Sequence, residues 1–165
     1  MLKITGILAI AISALMFGNY KSDKLKKRLR ALENTARLIS DIEESTRLNR
    51  KSLKDILLCS DNSLYQLGYL NDFCLYISDM PQPDAIKKAV LKSDDCLTEE
   101  DRAMLCDFYV SLGRNDIKKE LEIIHAFAER LDRIIKSARE EYENKGMLYR
   151  KISLLIGLLV AVFLI

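Results

Sequence analysis

Four cysteines, one histidine and one dense group of acids are the residues of this 165-residue chain whose chemistry would say most. Cys59, Cys74, Cys96 and Cys106 stand 15, 22 and 10 residues apart, so no CxxC pair exists. With His125 as the single histidine, no local motif supplies the four N/S ligands that zinc takes. Reduced, buried thiols in a cytosolic domain are the reading that fits this usage. His125 lies three residues after Glu122, close enough on a helix for a surface pair. A catalytic Cys–His pair stays open, because contact in space is invisible in a sequence. Asp94, Asp95, Glu99, Glu100 and Asp101 cluster across a loop but lack EF-hand spacing. Acids at a helix N-terminus explain them; docking of a basic partner is the alternative. No phosphate-cradling glycine loop, nucleophile elbow or HExxH helix is present. The expectation is therefore a chain without catalytic, cofactor-binding or metal-binding residues.

The elements that carry these residues read as helices. Apolar residues make up 49% of the chain, and its two prolines, Pro81 and Pro83, fall close together. No alternating Val/Ile/Thr-rich run suggests a strand. The fold class is all-α: a bundle of about six helices, with a long terminal helix continuous with the bundle. Leu25, Leu29, Leu32, Ala36 and Ile39 fall on one stripe. Ile117, Leu121, Ile124, Ala128, Leu131, Ile135, Ala138 and Tyr142 do the same in steps of four and three, and Gly146 reads as a joint. The two stripes suggest an antiparallel coiled-coil stem. Ser52 with Asp55, and Thr98 with Asp101, resemble capping boxes. The segment 64–77 is apolar on nearly every side, which places it centrally in the bundle. Pro83 suits the first turn of a helix over 84–91, and Gly113 a C-terminal cap after Leu112.

The chain divides by composition into 1–20, 21–146 and 147–165. Residues 4–20 carry no charge, and as a helix they reach about 25 Å against a hydrocarbon core of about 30 Å. Residues 152–165 form a second uncharged run of about 21 Å; with 147–149 and snorkelling bases it reads as a second membrane segment. The first reads as a retained anchor rather than a cleaved signal peptide, since no small-x-small site follows it. Lys24, Lys26, Lys27 and Arg28 border the first segment, and Arg150 and Lys151 the second, as candidate lipid-headgroup contacts. By the positive-inside rule both segments place the termini outside and 21–151 in the cytosol. Residues 31–144 hold 16 basic against 23 acidic residues, a net of −7, a poor ligand for nucleic acid. Ala14 and Gly18, and Ser153, Gly157 and Ala161, repeat small residues at four-residue spacing, the pattern of close helix packing in lipid. They suit pairing of the two anchors with each other, or of either with a partner, homo-oligomers included.

Several short features, in order, resemble the stage III sporulation protein AB family of endospore-forming bacteria. They are Leu112-Gly113 followed by Asp116, then Glu140-Glu141, Lys145 and Tyr149-Arg150 entering an apolar tail with Gly157. Met1-Leu2-Lys3, Gly6, an anchor ending near Gly18 and a basic helix fit the amino end. The chain departs from the family pattern at Ser153, where glycine is expected, and at Ser52-Leu53, where Pro-Leu is. The resemblance implies a bundle similar to the F-domain platform of type II secretion systems. It also implies a non-enzymatic assembly role in the mother cell membrane around the forespore, in a channel complex, with other channel subunits and an ATPase as partners. A general membrane-tethered adaptor or dimerising signalling module is the competing reading.

Overall fold

The computed structural model describes residues 2–48, 67–93, 96–112 and 116–164; within these, the side chains of 2–11, 14, 15, 150, 158 and 160–164 lie outside the description. Six α-helices and one π-helical turn are found among the described residues: α1 (Leu2–Arg47), α2 (Gly68–Tyr76), α3 (Gln82–Lys92), α4 (Glu99–Ser111), α5 (Ile117–Glu141), a π segment (Tyr142–Gly146) and α6 (Met147–Leu164). No strand occurs among them. The chain separates into two compact units, residues 30–135 and the combined ends 1–29 and 136–165.

In unit 30–135 the core is built from one face of each helix. From α1 come Leu32, Leu38, Ile39 and Ile42. α2 buries Tyr69, Leu70 and Phe73. Its neighbours Leu75, 69% exposed, and Tyr76, half-buried, correct the expectation of a helix buried all round. The expected start of that helix, at 64–66, lies outside the described residues. Pro81 caps α3 and Pro83 sits in its first turn, where a missing N–H costs nothing. Ala85, Ile86, Ala89 and Val90 face inward. At the other end, the guanidinium of Arg102 donates to the carbonyls of Leu91 (3.1 Å) and Ser93 (2.8 Å). It thereby satisfies groups that a helix C-terminus leaves orphaned.

The expected capping box before α4 is formed. Thr98 N–H donates to Asp101 Oδ2 (3.0 Å), and Asp101 N–H donates to Thr98 Oγ1 (3.2 Å). Two residues earlier Cys96 takes φ 58°, the left-handed region that turns the chain into the cap. The Ser52/Asp55 pair and Gly113 lie outside the described residues. The stripe on α5 buries Ile124, Leu131 and Ala138, while Ile117 is exposed. Phe127 is buried as well, its ring stacked on Phe108 with centroids 3.9 Å apart. α5, the π segment and α6 follow one another without a loop, as the expectation of one long terminal helix required.

Candidate functional site

The groups that looked most reactive are dispersed. Cys106 is buried, and that burial pushes its thiol pKa up. Cys74 and Cys96 are half-buried rather than buried; Cys59 lies outside the described residues. His125 is exposed and pairs with Glu129, 3.5 Å away and one turn on, not with Glu122. Among the described residues no three His, Cys, Asp or Glu side chains converge on a position that could hold a metal ion. Glu99 and Glu100 are exposed in the first turn of α4 beside its capping box. On α3, Lys88 and Lys92 place their ammonium groups 4.6 and 5.8 Å from the Tyr76 ring centre. Lys92 also donates to the Tyr76 hydroxyl (3.1 Å), which raises its pKa.

The small residues of the terminal helices, by contrast, come together. Gly18 on α1 faces Ser153 on α6: a Cβ at Gly18 would lie 2.5 Å from Ser153 Cβ and 2.9 Å from the Tyr149 carbonyl oxygen. Only a glycine admits a backbone that close. Ser153 and Gly157 are buried with it; the side chains of Ala14 and Ala161 lie outside the description. One turn further along α1, Ser22 is 1% exposed and lies against Gly146, where a Cβ would meet Ser22 Oγ at 3.2 Å and the Tyr142 ring at 3.1 Å. A cavity of about 190 Å³ adjoins this contact, lined by Ser22, Tyr142, Glu143, Gly146 and Met147.

With the small faces paired, the large side chains point outward. Met16, Phe17 and Tyr20 of α1 are exposed, as are Met147, Leu148, Ile152, Leu154, Leu155, Ile156 and Leu159 of α6. Lys21 lays its ammonium over the Phe17 ring, 5.7 Å from its centre. Next along, Arg28 donates to Glu141 (3.0 Å), and Lys145 donates to the other oxygen of Glu141 (2.8 Å). That carboxylate holds the Lys145 ammonium above its ordinary pKa. Arg28 is thus engaged by Glu141, while Lys24, Lys27 and Lys151 are exposed and Lys26 is half-buried; the Arg150 side chain is outside the description. The expected crossing of a membrane has no direct counterpart: among the described residues no helix is long and apolar enough to span one.

The stage III sporulation protein AB family model matches residues 3–165, nearly the whole chain. The chain belongs to the stage III sporulation protein AB family. No curated protein and no solved structure matches it. The residues on which the resemblance rests have ordinary structural places. Leu112 is buried at the end of α4, the Asp116 carbonyl accepts the Glu120 N–H (2.9 Å) at the start of α5, Tyr149 is exposed, and Gly157 is buried. Gly113 falls outside the described residues.

Sequence reasoning missed Ser22 and the π segment. A signal existed for the first: Ser22 continues the four-residue ridge of Ala14 and Gly18. It missed the Arg28–Glu141 pair for another reason, since 113 residues separate the two.

Proposed function

We propose that this family member is a non-enzymatic membrane scaffold of the stage III sporulation complex, acting in a channel between mother cell and forespore. Segments 1–20 and 147–165 serve as anchors. The bundle over 21–146 faces the mother cell cytoplasm and docks other channel subunits, an ATPase among them. The observation that carries this reading is the pairing of Gly18 with Ser153. It turns the small faces of α1 and α6 toward each other and leaves a band of large apolar side chains outward. Soluble proteins rarely expose a contiguous band of that kind, and lipid would cover it. The uncharged sequence continues through 4–11 and 160–165, whose side chains lie beyond the described ones and lengthen both apolar runs. Exposed Lys24, Lys27 and Lys151 sit on the inner flanks, where the positive-inside rule wants them. Small-residue packing within the chain also fixes the two anchors as a pair, a stable base for a docking surface.

Reporter fusions test the arrangement. A tag at residue 90 should be reached only from the cytoplasm, and tags at both termini only from outside. Co-purification from sporulating cells should recover other channel subunits. Labelling of residue 90 from outside intact cells, or self-association as the sole interaction, would overturn the scaffold reading.

A further inference from the structure

Three described hydroxyls in the helices return their proton to the backbone of their own helix. Thr35 donates to the Ala31 carbonyl (2.8 Å), Ser40 to Ala36 (3.1 Å) and Ser111 to Phe108 (2.7 Å). Ser22 does not. Its Oγ is buried and has no hydrogen-bond partner among the described residues, as donor or as acceptor, and it borders the cavity beside the π segment. A buried hydroxyl left so is destabilising, so something polar is expected to meet it. The cavity, about 190 Å³, holds more than one water. Among its described lining residues the one charged group is a carboxylate, Glu143, and the wall includes the Tyr142 ring. A carboxylate, an aromatic ring and a hydroxyl acceptor together select a cation that carries N–H donors. The π-helical turn that shapes this wall is a form of helix often found at functional sites.

We propose that this cavity takes the primary ammonium of a phospholipid headgroup, held by Ser22 and Glu143 against the Tyr142 ring. The inference rests on the membrane reading given above. The acyl chains would follow the exposed apolar side chains of Met147 and Leu148. An ammonium joined to acyl chains fits these surroundings, with exposed Met147 and Leu148 alongside, better than a free amine does.

The test uses the full chain in lipid nanodiscs, with bound lipid read by native mass spectrometry. Phosphatidylethanolamine should be retained about tenfold over phosphatidylglycerol, the size of one hydrogen bond to a charged group. Phosphatidylcholine, which has no N–H to donate, should fall with phosphatidylglycerol. S22A and E143Q should each lower phosphatidylethanolamine retention about tenfold, with helical circular dichroism unchanged. Equal retention of the three lipids by the unaltered chain overturns the proposal, whatever the variants do. So does displacement of the lipid by millimolar free ethanolamine, which would mark a site for soluble amines. Vesicle flotation separates the two readings: a chain that floats without selecting a headgroup refutes this site alone, and one that fails to float refutes the membrane reading.

Discussion

Replacing Tyr69 with phenylalanine is expected to cost more stability than replacing Tyr109, although each change removes one buried hydroxyl. The reason is the direction of a hydrogen-bond chain in unit 30–135. Thr35 Oγ1 donates its one proton to the Ala31 carbonyl (2.8 Å), so toward the Tyr69 hydroxyl, 3.3 Å away, it can only accept. Tyr69 therefore donates to Thr35. Toward Tyr109, 3.1 Å off, Tyr69 can in turn only accept, and Tyr109 is the donor. Y109F deletes the start of the chain and strands no proton, which costs about 0.5–1.5 kcal/mol. Y69F leaves the Tyr109 O–H without an acceptor in a site only 3% exposed. That adds the penalty of an unsatisfied buried donor, about 1–3 kcal/mol. The double variant has no stranded proton, so it should be no less stable than Y69F alone. Its cost should fall roughly 1 kcal/mol or more short of the sum of the singles. Urea unfolding of the full chain in detergent, followed by far-ultraviolet circular dichroism, gives the cycle. If Y109F costs more than Y69F, or if the two costs add, the donor order Tyr109 to Tyr69 to Thr35 is wrong.

Burial, and then the neighbouring Tyr69, raise the Tyr109 pKa well above its ordinary value. Above about pH 10 the unfolded chain gives up this proton while the folded chain keeps it, so stability should hold below that pH and fall above it. Y109F should make the fall shallower in urea midpoints taken between about pH 9 and 11. At the terminal helices, G18A sets a Cβ against Ser153 and the Tyr149 carbonyl and should destabilise by about 1–3 kcal/mol. Adding S153G removes the side-chain clash but not the carbonyl 2.9 Å away, so thermal melts should show partial rescue. Full rescue, or no loss in the single variant, would mean the helices can part freely.

The periodic elements were legible in the sequence because each rests on local chemistry. A capping box needs only Thr98 and Asp101, three residues apart, and it formed. The stripe of α5 marked Ile124, Leu131 and Ala138, and all three are buried. Gly18 and Ser153 were marked as small packing residues, and they meet. Failures came where burial depends on a neighbour from another part of the chain. Leu75 has the same apolar character as Leu70, yet only Leu70 finds a partner surface. Cys74 and Cys96 looked like core thiols, but hydrophobicity alone does not say which side of a short helix or which turn is covered. Phe127 falls between the stripe positions and is buried because Phe108 stacks on it. Arg28 was read by charge as a lipid contact, while its position opposite Glu141 depends on how the two ends of the chain come together.

The π segment explains a change of register along the terminal helix. Buried positions on α5 recur every seven residues, at Ile124, Leu131 and Ala138. Carried on unchanged, that period would bury positions 145 and 152. Lys145 and Ile152 are exposed, and the buried residues are instead Gly146 and Ser153, each one place later. A π turn closes i→i+5 rather than i→i+4 and so takes up one extra residue. One residue of an α-helix is about 100° of rotation. Without that insertion, Lys145 and Ile152 would hold the positions now held by Gly146 and Ser153, and neither fits. A lysine would bring its charge against Ser22, and an isoleucine would occupy space that Gly18 leaves only for a hydroxymethyl group. The extra residue between Tyr142 and Gly146 thus lets a large-residue heptad on α5 and a small-residue ridge on α6 coexist in one continuous helix. It also lies beside Ser22, where the cavity is found. The joint that the sequence suggested at Gly146 is therefore a shift of register, and the stretch stays helical throughout.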